Sequence, residues 1–142
     1  MNRSAMKRPL GVTLLGVFLI VSTCILAATT ITLFHPGTFV DRIWDFKRGE
    51  YDELLQLVPW SGIGFLVLGV VMAFAAYGWF KARRWAWWLV QGIFLANALG
   101  DVGRMFQGDV VGGLTGVVIV AALIMYVRSK GVRAVFAQQR DL

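Results

Sequence analysis

The sequence predicts an all-α integral membrane protein, built as a four-helix transmembrane bundle with both termini in the cytoplasm. The chain has 142 residues, which is enough for one domain. Its composition, 58% hydrophobic residues with a mean hydropathy of +0.68, is too apolar for an ordinary soluble domain of this size. Four apolar runs and an uneven distribution of basic residues between them complete the basis for the prediction.

The four apolar runs lack Lys, Arg, Asp and Glu over most of their length. An uncharged run of ~18 or more residues crosses ~30 Å of hydrocarbon as a helix, and a helix satisfies its own backbone hydrogen bonds in lipid. The third run is shorter and reaches full length only if Asp101 and Arg104 are accommodated near its end. The expected spans are residues 10–34, 59–80, 85–106 and 109–127.

When successive connections are assigned to alternate sides of the membrane, the basic residues are concentrated on one side. One side, formed by the two tails and the turn at 81–84, holds ten cations and one acid, whereas the other holds four cations and seven acids. Because Lys and Arg remain cytoplasmic in membrane proteins, we expect the tails, residues 1–9 and 128–142, inside the cell. The net charge of +6 is therefore assigned to membrane topology and not to nucleic-acid binding.

A cleaved signal peptide over residues 1–28 is the alternative for the N-terminal run. The run begins with basic residues and reaches two small residues, Ala27 and Ala28. It continues without charge to Phe34, well beyond the about 7–15 apolar residues of a signal peptide. We therefore expect residues 10–34 to remain as the first span.

The outer segment, residues 35–58, is the sizeable region predicted outside the membrane. Its apolar residues recur at helical spacing on both sides of Gly49, which predicts two short amphipathic helices lying on the outer surface. Asp41 is expected away from the apolar face of the first of these helices. The apolar positions are Phe39, Val40, Ile43 and Trp44, and then Tyr51, Leu54, Leu55 and Val58.

Small residues form rows along the predicted helices. Gly108, Gly112 and Gly116 are each four apart at the start of the fourth span and form a candidate helix-association face of the GxxxG type. A second row in the third span consists of Gly92, Ala96, Gly100 and Gly103. Packing within the bundle is the alternative role for both rows. Asp109 is expected to cap the fourth helix at its N-terminus.

Ionisable and amide groups are scarce within the predicted spans, which makes those present candidates for function. Asn97, Asp101 and Arg104 fall on one helical face, and Asp101 lies ~24 Å along the helix from Trp85, in the outer part of the membrane. An ion pair between Asp101 and Arg104 that anchors the helix end is one interpretation. A polar pocket open to the outside is the other.

Three stretches resemble the N-terminal, hairpin and tail sequences of small uncharacterised bacterial inner-membrane proteins with four helices. They are KRPLGVTLLG at 7–16, RRWAWWL at 83–89 and VRAVF at 132–136. The resemblance implies a multi-pass protein of the bacterial inner membrane. It implies no activity and no functional residues.

No sequence motif for catalysis is present, and one cysteine, Cys24, is too few for a disulfide or a cysteine-based zinc site. We expect no catalytic residues, no metal and no cofactor. The expected function is a non-enzymatic accessory or scaffold subunit whose partners are the lipid bilayer and a membrane protein or a second copy of the chain. A small oligomeric transporter or channel for a polar solute or lipid is the alternative.

Overall fold

A computed structural model describes residues 8–137 of the chain, and these residues form helices and turns with no strand. The prediction of an all-α protein is confirmed. Parts of the two predicted cytoplasmic tails, which include Arg3, Lys7, Arg140 and Asp141, lie outside the described residues. The helices are α1 (Leu10–Phe34), a 3₁₀ helix (Phe39–Trp44), α2 (Arg48–Gln56), α3 (Trp60–Phe80), α4 (Arg84–Phe106), α5 (Val110–Val127) and α6 (Lys130–Ala137).

Three of the described helices, α1, α3 and α5, are long and apolar enough to cross a membrane. Their most apolar windows have mean hydropathies of 2.5, 2.1 and 2.5, and between 17% and 33% of the residues in those windows are buried within the protein. Exposed apolar surface on this scale requires an apolar solvent or a partner. The three helices therefore indicate a membrane protein.

Helix α4 differs from these three in composition. It has 23 residues, which is sufficient length, but it is not among the helices apolar enough to cross by composition alone. Its first residues include three tryptophans, and Gln91, Asn97 and Asp101 follow within the helix. Indole, amide and carboxyl groups make the mean hydropathy of α4 lower than that of the other three long helices.

The described part of the chain divides into two compact units, one formed by residues 8–15 and 77–137 and the other by residues 16–76. In the first unit two tryptophans donate hydrogen bonds to backbone carbonyls. Trp79, which is 1% exposed, donates from Nε1 to the carbonyl oxygen of Val12 at 2.7 Å, and its ring lies 4.7 Å from that of Phe136. Trp87 donates to the carbonyl oxygen of Val127, the last residue of α5, at 3.0 Å.

Arg8 binds the last residue of α3 at one end of this first unit. Its guanidinium donates to the carbonyl oxygen of Phe80, the last residue of α3, at 2.7 Å. The last carbonyls of a helix have no partner within the helix and carry partial negative charge, so that a cation is favourable there. The start of the described chain, the α3–α4 turn and the end of α5 thus meet at one end of the unit.

In the second unit the outer segment is held to the end of α1 at Thr32, which is fully buried. The indole Nε1 of Trp44 donates to Thr32 Oγ1 at 3.0 Å, and the Tyr51 hydroxyl donates to the Thr32 carbonyl oxygen at 3.0 Å. The rings of Trp44 and Tyr51 stack with their centroids 5.2 Å apart. The two short helices expected in this segment are a 3₁₀ helix, Phe39–Trp44, and α2.

The expected orientation of the first short helix is wrong. Asp41 is 8% exposed, and its Oδ2 accepts a hydrogen bond from the Gly37 amide at 2.6 Å, whereas Phe39 is 85% exposed. The prediction assumed an α-helical period, but a 3₁₀ helix has three residues per turn, so residues three apart share a face. Asp41 and Trp44 therefore face the same side.

Burial raises the pKa of the Tyr51 hydroxyl, and the nearby Asp41 carboxylate raises it further. Because the neutral phenol is favoured in the folded protein, its contribution to stability is complete below the pKa of an unfolded tyrosine. That contribution is lost as the pH rises through the higher folded pKa.

Replacing Tyr51 by Phe tests the attachment of the outer segment to α1. The variant keeps the stacked ring and loses the hydrogen bond to Thr32, which is worth about 1 kcal/mol. We expect hydrogen exchange of the α2 amides, measured by mass spectrometry in detergent, to accelerate about five-fold. Tyr77→Phe is the matched control, since Tyr77 is 60% exposed. Equal exchange of α2 in both variants would contradict the assigned anchor.

Candidate functional site

Helices α4 and α5 pack against each other, and Gly113 is buried on α5 at this contact. A Cβ atom at this position would overlap the carbonyl oxygen of Asp101 and would lie 3.1 Å from the amide nitrogen of Met105. The Met105 side chain also lies within this distance, but the two backbone atoms of α4 cannot rotate away as a side chain can. Gly113 therefore sets the distance between the two helices, as small residues do in membrane-type helix pairs.

The Asp101 carboxylate lies against α5 at Gly116. A Cβ atom on Gly116 would overlap the carboxylate, so the missing side chain provides the space that Asp101 occupies. Asp101 is half-buried as a result. The acid therefore faces the neighbouring helix rather than the open surface.

Arg104 forms its ion pair with Asp109 and not with Asp101. Its guanidinium donates to Asp109 Oδ2 at 2.5 Å, across the turn between α4 and α5. The other oxygen of Asp109 accepts from the Gly112 amide at 2.9 Å, which confirms the predicted N-terminal cap of α5. The i, i+3 pair expected from the sequence is absent among the described residues because the turn brings a second carboxylate to Arg104.

Asn97 shares a helix face with residues that are buried, yet it is exposed. Val90 and Phe94, seven and three residues earlier on α4, are 0% and 2% exposed. The inward face of α4 is thus covered in its first half and open at Asn97. Of the three predicted pocket residues, Asn97 is open, Asp101 faces α5, and Arg104 is bound to Asp109.

The predicted association face on α5 is divided in the structure. Gly108 lies in the α4–α5 turn with φ of +100°, a left-handed conformation that favours glycine, and not on the helix. A Cβ atom on Gly112 would overlap the Asp109 carboxylate, as one on Gly116 overlaps that of Asp101. Side chains of the same chain therefore occupy the space above both helical glycines.

The second small-residue row, on α4, is open. Gly92, Ala96 and Gly100 are exposed, and a Cβ atom on Gly92 or Gly100 would have no neighbour within 4 Å. The row lies beside the exposed side chains of Trp88, Leu95 and Leu99, along one edge of the exposed face of α4. Small residues therefore face outward here, where no described side chain covers them.

A cavity of about 570 Å³ lies between the start of α4 and α6, and sequence reasoning did not find it. Its basic residues are those that the sequence assigns to the cytoplasmic side of the membrane, and this assignment predicts no cavity. The signal was present in α6, where basic residues alternate with apolar residues at helical spacing. The lining includes Arg84, Trp87, Trp88, Arg128, Lys130 and Arg133.

Within residues 8–137, no group of three or more His, Cys, Asp or Glu side chains is placed to hold a metal ion. Cys24 is exposed, with a free thiol. The polar geometry that the structure does provide is therefore the α4–α5 contact and the basic cavity.

Substitution of Gly113 tests the close approach of α4 and α5. Gly113→Ala forces backbone atoms apart, and overpacking of this kind costs about 1–3 kcal/mol. We expect a lower melting temperature in detergent, measured by differential scanning fluorimetry. Gly64→Ala is the matched control, because Gly64 is an exposed glycine in α3 with no atom within 4 Å of its Cβ position. A Gly113→Ala protein as stable as this control would refute the contact.

Comparison of the chain with protein-family models, with curated proteins and with solved structures finds no match in any of the three.

Proposed function

We propose that this protein is a non-enzymatic accessory or scaffold subunit of the bacterial inner membrane, which crosses the bilayer four times and associates through a small-residue helix face. The observation that carries the proposal is the open row Gly92, Ala96 and Gly100 on α4. The resemblance to small four-helix inner-membrane proteins is also a proposal, and it implies no activity for this protein.

The glycine row is suited to a partner helix. In lipid the hydrophobic effect does not drive helices together, so association depends on close backbone approach and on van der Waals contact. Trp88, Leu95 and Leu99, exposed by 60%, 57% and 66%, lie along one side of the row. A helix of a second copy or of another membrane protein would pack over the glycines and against these side chains.

The composition of α4 supports the same proposal. Its polar residues make it the least apolar of the four long helices, and it is the one that fails to qualify as a span by hydropathy alone. Packing against another helix stabilises such a segment in lipid by replacing lipid contacts with close protein contacts. The helix that most needs a partner therefore carries the open glycine row.

The charge distribution supports four crossings over three. If α4 remained on one side, the two sides of the membrane would hold seven cations each, whereas four crossings give ten and four. Only the second distribution follows the tendency of basic residues to remain cytoplasmic. The meeting of Arg8, the α3–α4 turn and the end of α5 at one end of the first unit is consistent with one cytoplasmic side.

Replacing Gly92 by Leu tests the association face. A Leu side chain fills the open space above Gly92, and an overpacked interface costs about 1–3 kcal/mol, which raises the dissociation constant by about 5- to 150-fold. We expect the complex purified in mild detergent to become smaller, as measured by light scattering, with less of any protein that accompanies the wild type in mass spectrometry.

Gly64→Leu is the control, since it adds the same side chain to an exposed glycine of α3. Gly112→Leu is a second control, because its side chain meets the Asp109 cap of the same chain and leaves the α4 row unchanged. A complex whose size is unaffected by Gly92→Leu, or reduced equally by Gly64→Leu, would exclude the α4 row as the interface.

A small oligomeric transporter or channel is the second candidate function, and the exposure of Asn97 favours it. An amide on the inward face of α4, four residues from Asp101, would line a vestibule for a polar solute or a lipid headgroup. Asn97→Cys in a Cys24→Ser background should then react with a membrane-impermeant thiol reagent added outside. Leu95→Cys, on the outward face of α4, serves as the lipid-facing control. Protection of position 97 would remove the case for a vestibule.

A further inference from the structure

We infer that the basic cavity between α4 and α6 binds the headgroup of an anionic phospholipid. The inference concerns a ligand and does not rest on the association role of the glycine row. Among the described residues, four cations line the cavity and none of the lining residues is acidic. The four cations are Arg84, Arg128, Lys130 and Arg133.

The cations converge because two structural elements place them there. Helix α6 belongs to the first unit and buries Val132 and Phe136 within it, which are 1% and 4% exposed. This orientation turns Lys130, Arg133, Ala134 and Ala137 toward the cavity, at the i, i+3, i+4, i+7 spacing of one helical face. The basic face of α6 is therefore fixed by the burial of its apolar face.

The opposite wall is formed by the start of α4. Trp87 is held by its hydrogen bond to the carbonyl oxygen of Val127, and its ring meets that of Trp88 edge-on at 4.8 Å. Trp88 is 60% exposed and belongs to the lining. Indole rings favour the headgroup level of a bilayer, where one side is apolar and the other is wet.

The level of the cavity in the membrane follows from α5. Val127 ends a helix that is long and apolar enough to cross the membrane, and Arg128, which lines the cavity, follows it directly. The cavity therefore lies where the hydrocarbon ends and the lipid phosphates begin. A ligand that reaches it from the bilayer has its phosphate at the cations and its acyl chains beside Trp88.

The excess of cations selects for a ligand with net negative charge. The side chains of the four cations form no ion pair and no hydrogen bond with another described residue. Close positive charges repel one another, and an anion that enters between them relieves the repulsion and accepts charge-assisted hydrogen bonds. Basic pockets beside membrane helices on the cytoplasmic side recognise anionic headgroups in this way. Phosphatidylglycerol has this charge, whereas phosphatidylcholine is neutral overall.

Native mass spectrometry of the full chain in mild detergent tests the inference, with equal amounts of phosphatidylglycerol and phosphatidylcholine added. We expect the wild type to retain phosphatidylglycerol preferentially. Arg84→Gln with Arg133→Gln should reduce the bound phosphatidylglycerol by about ten-fold or more, since charged hydrogen bonds are worth about 1.5–3 kcal/mol each. Arg128→Gln with Lys130→Gln should produce the same loss, so that the result does not depend on one variant being folded.

Lys81→Gln with Arg83→Gln is the matched control, because it removes the same charge from the same turn without touching the lining. Binding in this control should stay within about two-fold of the wild type, since long-range charge effects at the surface are weak. Equal loss in control and cavity variants, or equal binding of phosphatidylcholine, would overturn the inference. Displacement of the lipid by millimolar inorganic phosphate would also overturn it, by showing a site for free anions.

Discussion

Hydrocarbon solvates neither a charge nor an unpaired backbone group, and this constraint explains both the long helices and the positions of the charged residues. It explains why α1, α3 and α5 are uncharged helices, since a helix is the form in which a single segment satisfies its own backbone. It also explains why cations gather at helix ends. Arg8 at the last carbonyl of α3 and Arg104 at the cap of α5 are two cations whose partners lie at helix termini.

The same constraint explains how carboxylates are accommodated near the α4–α5 turn. Asp109 accepts hydrogen bonds from the Arg104 guanidinium and from the Gly112 amide of α5, and Asp101 occupies the space left by Gly116. Glycines on α5 therefore serve the acids of the same chain, whereas glycines on α4 remain open. Of these two rows of small residues, which look alike in sequence, the α5 glycines are covered by side chains of the same chain and the α4 glycines Gly92 and Gly100 are not.

Much of the helical architecture could be predicted from sequence, because long apolar runs admit few alternatives in lipid. The cap at Asp109 was equally predictable, since an acid before an apolar helix has a specific role at the N-terminus. Local geometry was not predictable where turns decide it. The pairing of Arg104 with Asp109, the left-handed Gly108 and the burial of Asp41 depend on backbone conformations that residue spacing does not encode.

The basic cavity escaped prediction for a different reason. Arg84 and Arg133 are far apart in sequence, and positive charge at both places is already expected from the proposed membrane topology. Only the packing of α6 through Val132 and Phe136 brings them to one cavity. A residue can therefore direct the threading of the chain and still bind a lipid, and sequence position reports the first role more readily than the second.

The central claim of four crossings with both ends in the cytoplasm is tested most directly by reporter fusions at the N-terminus and at the C-terminus. Each fusion carries a reporter that is active only in the cytoplasm, and both are expressed in bacterial cells at matched levels. The account predicts activity from both fusions, because an even number of crossings returns the chain to its starting side. Activity from one end alone would mean an odd number of crossings and would contradict the account.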